Sequence, residues 1–222
     1  MKNILLAIFT AISISSFGQV WTNYQVDSML TLMIPGSYKV RDTLGQRVIT
    51  AEIDNGLILV SMLPNAGETS MNVESEEDLL KMYKGFTNGY IKSQQGQLIK
   101  EEIIDKSGLK MVRFSFRAEM GGEKQIWYCE SVFVNEKMYS INFGEAEPLT
   151  NEMAALREKL FLSLRFSSKP GLKNQMSYKP ENDKEYNQGL LLGKITIGLL
   201  IGLAIWVSIK RNKKRVSAKL PG

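Results

Sequence analysis

The chain contains no histidine among its 222 residues, which limits the chemistry its side chains can perform. Serine or cysteine nucleophiles activated by histidine, and zinc sites built on histidine, are excluded within this chain. Cys129 is the single cysteine, so no disulfide can form within the chain. It lies in a predicted strand, on the face that also carries Trp127 and Phe133. This pattern is typical of a small buried apolar residue rather than of a reactive thiol.

Ser107 and Lys110 have the Ser-x-x-Lys spacing of serine-lysine acyl enzymes. They lie in a predicted turn that leads into a strand, and the helix and companion motifs of those enzymes are missing. We therefore interpret this match as coincidental.

The acidic residues Glu74, Glu76, Glu77 and Asp78 are of the type that binds hard cations. They lack the alternating ligand positions and the glycine-forced turn of a calcium loop. Acidic side chains also stabilise the start of a helix, which is the better interpretation here. The sequence thus predicts no catalytic residue, no metal ligand and no cofactor-binding residue.

Short strands separated by turn signals surround these residues. The first three are predicted at 29–34, 47–53 and 57–62, the last two being joined through the turn 54–56, and four more at 97–104, 109–118, 125–134 and 138–143. Within 109–118 a mostly polar set alternates with an apolar set: Met111, Arg113, Ser115 and Arg117 against Val112, Phe114 and Phe116. This alternation predicts one mostly polar and one apolar face.

Two segments change to a helical period. Ser75 and Asp78 resemble a capping box, and Leu79, Tyr83, Phe86 and Tyr90 follow at helical spacing. A second helix is predicted from Thr150 through Met153, Leu156 and Leu160, followed by a short closing strand at 162–166. The element order predicts an α+β fold for residues 19–168, with an antiparallel sheet covered by helices.

The opening 34–38, the mid-chain helix, the strand meander 108–143 and the closing 160–166 resemble the PsbP-like α/β/α fold. Small exported bacterial proteins of unknown function are similar to it too. Known members of this group bind other proteins or assist membrane complexes, and the resemblance implies a role of that kind. It places no functional site.

Residues 1–18 are predicted to be a signal peptide. Lys2 supplies the positive start, residues 4–14 form the apolar region, and Ser16-Phe17-Gly18 offers small residues for cleavage. The alternative is an uncleaved anchor, which would give a protein with two spans. A lipid-modified N-terminus is excluded because no cysteine follows the apolar region.

The apolar run 189–209 is predicted to be a transmembrane helix. A bilayer core requires about 20 mostly apolar residues, and Lys194 lies near one end, where its ammonium can reach the interface. The basic cluster that follows, Lys210, Arg211, Lys213, Lys214 and Arg215, places the tail 210–222 in the cytoplasm by the positive-inside rule. A buried core helix is the alternative. The sequence thus predicts a single-pass protein of the cell membrane, most simply the bacterial inner membrane, with its domain outside the cytoplasm.

The net charge of +5 belongs to this anchor. Of the 28 lysine and arginine residues, one precedes residue 19 and seven follow residue 188, whereas all 23 acidic residues lie between them. The segment 19–188 therefore carries 20 − 23 = −3. Nucleic-acid binding has no support.

Residues 169–188 are polar and rich in proline, lysine and asparagine, which predicts a flexible linker. In the apolar run, Gly198 and Gly202 have the spacing of a close helix–helix contact, so a homodimer through this helix is one interpretation. Glycine is also common in membrane helices that do not pair.

Two functions of different classes follow. The first is a membrane-anchored, non-catalytic binding domain that contacts a partner protein, as an accessory or assembly factor of an envelope complex. The second is an enzyme or small-ligand receptor that uses carboxylate and lysine side chains. A deep pocket with converging charged side chains would favour the second.

Overall fold

A computed structural model describes residues 19–43, 46–64, 73–120, 122–167 and 169–177. The predicted signal peptide 1–18, the apolar run 189–209 with Gly198 and Gly202, and the basic tail 210–222 lie outside these ranges. Within them, no helix is both long enough and apolar enough to cross a bilayer.

The described chain forms two antiparallel sheets. Its strands are β1 (Trp21–Gln25), β2 (Leu30–Pro35), β3 (Tyr38–Thr43), β4 (Gln46–Ile53), β5 (Gly56–Pro64), β6 (Gln97–Lys106), β7 (Leu109–Met120), β8 (Glu123–Val134), β9 (Lys137–Ala146) and β10 (Arg165–Phe166). Seven of them form a sheet in the order β3-β4-β5-β9-β8-β7-β6, and the other three form a small sheet in the order β1-β2-β10. The fold is thus mixed α/β with antiparallel sheets, as predicted.

Helix α1 (Glu76–Ser93) covers one face of the large sheet. Its start is fixed by the predicted capping box, in which the Ser75 hydroxyl accepts from the Asp78 N–H at 3.2 Å and Asp78 accepts from the Ser75 N–H at 3.1 Å. The predicted helical stripe is buried, as are the sheet residues beneath it. Leu79, Tyr83, Phe86 and Tyr90 pack in one cluster with Phe114, Phe116 and Trp127.

The opposite face of the large sheet is covered by the small sheet and by helix α2 (Asn151–Leu162). Leu30, Leu32 and Ile34 of β2 pack on the sheet together with Met153 and Leu160 of α2. The large sheet is therefore covered on both faces, which makes a three-layer arrangement.

Residues 169–177 belong to this packed body rather than to a linker. They contain a 3₁₀ helix, Leu172–Gln175, and Gln175 is fully buried. The Gln175 amide donates to the Lys110 and Phe133 carbonyls at 2.8 and 2.9 Å and accepts from the Lys110 N–H at 2.8 Å. The predicted boundary after residue 168 therefore falls inside the domain, because this polar side chain satisfies backbone groups far away in the sequence.

The strand prediction omitted two elements. Five strands precede α1 rather than three, since β1 and β3 are also present. Every residue of β3 is exposed, and its only apolar alternation is the pair Tyr38 and Val40. It forms the edge of the large sheet beside β4.

Candidate functional site

A groove of about 470 Å³ lies between helix α2 and the strands β6, β7 and β8. It opens to solvent on the side of the sheet that carries α2. Its lining is Lys100, Glu102, Lys106, Arg113, Phe114, Ser115, Tyr128, Cys129, Ala154, Arg157, Glu158, Phe161 and Leu162. Four of these side chains are basic and two are acidic, and Ala154, Phe161 and Leu162 of α2 add an apolar wall.

The Glu130 carboxylate lies beneath the groove with its side chain 0% exposed. One oxygen accepts from Nε and Nη2 of Arg113 at 3.0 and 2.6 Å, and the other accepts from the Lys106 ammonium at 3.0 Å. Lys106 also donates to the Phe161 carbonyl of α2 at 2.6 Å. One buried anion therefore fixes two cations of the groove and ties the sheet to the helix.

A second carboxylate lies at the rim of the groove. Glu102 pairs with the Lys100 ammonium at 2.6 Å and with Nη1 of Arg113 at 3.5 Å. The hydrogen bond from Lys100, more than the charge of Arg113, lowers the pKa of Glu102 below its usual range. Burial alone would lower the pKa of Arg113, but its bonds to Glu130 raise that pKa instead.

On α2, Arg157 is held by stacking and by an ion pair. Its guanidinium lies 3.8 Å from the centre of the Tyr128 ring, and Nη1 donates to Oε1 of Glu145 at 2.7 Å. The second oxygen of Glu145 is buried and has no hydrogen-bond partner among the described residues. Burial raises the pKa of the Glu145 carboxyl, and Arg157 opposes that rise only in part. Burial likewise raises the pKa of the Tyr128 phenol.

Recognition suits this arrangement better than proton transfer. Arginine stays protonated at neutral pH and offers several N–H groups in one plane, which match carboxylate and phosphate oxygens. Arg113 and Arg157 both line the groove, and each is oriented by a buried carboxylate. The hydroxyls of Ser115 and Tyr128 add neutral polar groups beside them.

Of the residues considered for chemistry in the sequence, the structure brings together only Lys110 and Glu76, as an ion pair. Cys129 is fully buried, and burial raises the pKa of its thiol well above the usual value. Ser107 is exposed in the β6–β7 turn with φ +55°, whereas the Lys110 ammonium pairs with Asp105 at 3.0 Å and Glu76 at 3.4 Å. The interpretation of both patterns as non-catalytic agrees with these positions.

The acidic residues at 74–78 form the start of α1, as predicted. Glu76, Glu77 and Asp78 occupy its first turn. In the ranges that the structure describes, no three or more aspartate, glutamate or cysteine side chains are grouped so as to hold a metal ion.

The sequence interpretation singled out none of the groove residues as a site. One signal was present: Arg113, Ser115 and Arg117 alternate along β7 and mark a polar face. The alternation gives the face of the strand but not what lies above it. The approach of Arg157 and Phe161 from a helix about 40 positions later depends on tertiary packing.

The sequence matches no protein-family model and no curated protein. Solved structures resemble it at low sequence identity. Cyanobacterial PsbP from Synechocystis sp. PCC 6803 is 14% identical over 68% of this chain and 95% of that chain, with a TM-score of 0.47. LpqN of Mycobacterium tuberculosis, described as involved in cell envelope biogenesis, is 10% identical over 67% and 91% of the two chains, with a TM-score of 0.42.

A third similar structure is the Saccharomyces cerevisiae Ran-binding protein Mog1p. It is 11% identical over 72% of this chain and 100% of that chain, with a TM-score of 0.39. The predicted resemblance to the PsbP-like fold agrees with the likeness to cyanobacterial PsbP. The likeness concerns the fold alone.

Proposed function

We propose that this chain is a membrane-anchored binding protein whose exported, non-catalytic domain holds a segment of a partner protein in the groove beside α2. The observation that carries the proposal is the pair of arginines, Arg113 and Arg157, that line the groove on buried carboxylates. Enclosing Glu130 has a large desolvation penalty, and replacing a whole buried ion pair by apolar residues often leaves a protein as stable or more stable. The ionic arrangement therefore favours a role in presenting its cations.

The anchoring part of the proposal rests on the sequence. The signal-like start 1–18, the apolar run 189–209 and the basic cluster 210–215 agree on one orientation. The packed body reaches residue 177, so 11 residues, 178–188, separate it from the proposed span. At about 3.5 Å per residue they reach at most about 40 Å. The groove would then work close to the bilayer surface.

Site-specific photo-crosslinking in cells tests the binding function. A photoreactive amino acid replaces Ser115 in the groove, and a matched variant carries it at Asp54, in the exposed β4–β5 turn outside the groove lining. We expect one discrete adduct from position 115, lost when Arg113→Glu is added, and none from position 54. Adducts that are equal at both positions, or that survive the Arg113→Glu change, would contradict a groove-specific partner.

Reporter fusions test the proposed location and membrane orientation separately. A periplasmic reporter joined after Ser177 should be active, and a fluorescent reporter that requires the cytoplasm should be active only after Gly222. The opposite pattern would contradict the proposed orientation while leaving the groove proposal intact.

The second candidate, a small-ligand receptor, is favoured by the volume of the groove, since small-ligand pockets enclose about 300–1,000 Å³. Native mass spectrometry of the purified chain distinguishes it from the first. A ligand that fits such a pocket has a mass below about 1 kDa. A bound species of that mass that is lost in Arg113→Glu would favour the small-ligand receptor.

A further inference from the structure

The floor of the groove carries more basic than acidic groups. Three cations, Lys100, Lys106 and Arg113, are paired with two carboxylates, Glu102 and Glu130. This set has one positive charge in excess, and Glu158 on the α2 side of the groove offsets it.

The cations of the floor are held in place by their contacts, and one of them keeps free donor capacity. Both oxygens of Glu130 are already used, by Arg113 and Lys106, and Lys106 is also held by the Phe161 carbonyl. Arg113 is nevertheless 46% exposed at its side chain. Its Nη1 reaches Glu102 only at 3.5 Å, a weak contact, so the guanidinium keeps donor capacity toward the groove.

The α2 side of the groove supplies a second guanidinium and an apolar surface. Arg157 uses Nη1 for Glu145, and its guanidinium lies over the Tyr128 ring. Ala154, Phe161 and Leu162 line the groove beside it, and Leu162 is 63% exposed. The remaining carboxylate of the lining, Glu158, is exposed on α2, so water screens its charge as it screens that of Lys100, which is 67% exposed.

We propose that the groove binds a carboxylate group next to an apolar side chain, presented by a peptide segment of the partner. The carboxylate lies against Arg113 and Arg157, and the apolar side chain lies against Phe161 and Leu162. This inference rests on the proposed function and names the chemistry of its partner.

Fluorescence anisotropy with the purified full-length chain in detergent tests it. The probe is a fluorescein-labelled pentapeptide, Gly-Ser-Gly-Leu-Leu, with a free terminal carboxylate, and its amidated form is the control. We expect the acid to bind at least about tenfold more tightly than the amide, because charge-assisted bonds to guanidinium are the strong ones. Equal affinity of the two forms, or no binding of either, overturns the inference.

Two arginines of the same strand provide a matched pair of variants. Arg113→Gln should weaken acid binding about tenfold, whereas Arg117→Gln should leave it unchanged. Arg117 is similarly exposed, at 48% against 46%, and pairs with Glu147 outside the groove lining. An equal loss in both variants would show that general charge, not the groove, attracts the probe.

Competition identifies the source of the carboxylate. Hexanoate should displace the probe far more weakly than the unlabelled peptide, and hexanamide should not displace it. Displacement by hexanoate as strong as by the peptide would overturn the peptide assignment. If position 115 forms its adduct in cells while acid and amide peptides bind alike, the proposed function stands and this inference fails.

Discussion

The two faces of the seven-stranded sheet both bury polar side chains, but those beneath α1 are neutral and those beneath α2 are charged. Beneath α1, Tyr83 donates to the Lys110 carbonyl at 2.9 Å and accepts from the Phe133 N–H at 2.9 Å and from Gln175 at 3.1 Å. Burial raises the pKa of Tyr83 far above its ordinary value, so it stays a neutral hydroxyl. This network begins and ends within the protein.

The charged network differs in where it ends. Glu130 is as buried as Gln175, yet its partners Arg113 and Lys106 extend to the surface of a groove. A neutral network needs no outside partner, because its donors and acceptors satisfy one another. A buried carboxylate that holds half-exposed cations has a further effect, because it fixes the position of charges that solvent or a ligand can reach. We therefore assign stability to the first network and recognition to the second.

Gln175→Leu should produce the largest effect and should act on stability alone. It leaves the Lys110 N–H and the Phe133 carbonyl buried without their partner, and each such group costs about 1–3 kcal/mol. We expect the free energy of unfolding in urea to fall by about 3 kcal/mol. Lys173→Ala, an exposed change in the same 3₁₀ helix, should lower it by less than about 0.5 kcal/mol. Unchanged stability in Gln175→Leu would remove the structural role of the neutral network.

Glu130→Leu should affect both stability and binding. Arg113 and Lys106 lose their shared anion, but both are partly exposed. We therefore expect the free energy of unfolding to fall by about 2 kcal/mol, less than the 3–5 kcal/mol lost when a fully buried pair is broken. Affinity for the acid peptide should fall although the groove becomes more positive, because the guanidinium is no longer held in place.

Glu119→Gln is the matched control for that change. It removes one negative charge from β7, the strand that carries Arg113. Glu119 is exposed and lies outside the groove lining. Its affinity for the acid peptide should equal that of the parent chain. If Glu130→Leu instead binds the peptide more tightly, charge excess rather than positioning determines recognition.

Two carboxyls on the α2 side should give stability opposite dependences on pH. The pKa of Glu145 is raised by burial, so its contribution to stability falls as pH rises above roughly pH 4 toward the raised value. For Asp27, burial alone would raise the pKa, but bonds from Lys137 and Tyr139 and from two backbone N–H groups lower it. Its contribution is therefore present above roughly pH 4 and lost as pH falls further.

Urea unfolding measured from about pH 3 to about pH 7, a range that brackets ordinary carboxyl pKa values, gives the free energy of unfolding on both sides of roughly pH 4. Glu145→Gln should flatten the decline on the neutral side, and Asp27→Asn should flatten the loss on the acid side. A change of slope in the same direction for both variants would contradict the opposite environments of these carboxyls.

The neutral side of the molecule was largely predictable from sequence, and the charged side was not. The capping box at Ser75 and the helical stripe 79–90 are local patterns, so α1 and its buried face followed from them. The β4–β5 hairpin and the β6–β9 meander also lie where their turn signals predicted. These features depend on neighbours within a few residues.

The missed features depend on distant partners. Gln175 lies in a segment whose composition is typical of a linker, and only the backbone groups of Lys110 and Phe133 make its burial favourable. Arg113 belongs to the predicted polar face of β7. Glu130, in contrast, lies on β8 in a position that alternation alone cannot distinguish from a solvated one. The groove arises where α2 leaves these residues half covered.

The smallest expected effect separates recognition from packing on α2 itself. Arg157 stacks on Tyr128 at 3.8 Å, and Lys159 lies 4.8 Å from the centre of the Trp21 ring of the small sheet. Such contacts contribute about 0.5–1 kcal/mol at exposed sites, so Arg157→Gln and Lys159→Gln should each lower the unfolding free energy by no more than about that amount. Only Arg157→Gln should weaken the acid peptide, and it should also raise the pKa of Glu145 further, because the opposing guanidinium is gone. Carbon-detected NMR titration of the Glu145 carboxyl measures that pKa directly. If the two variants weaken the peptide equally, α2 contributes only its packing to the groove, and recognition rests on the sheet.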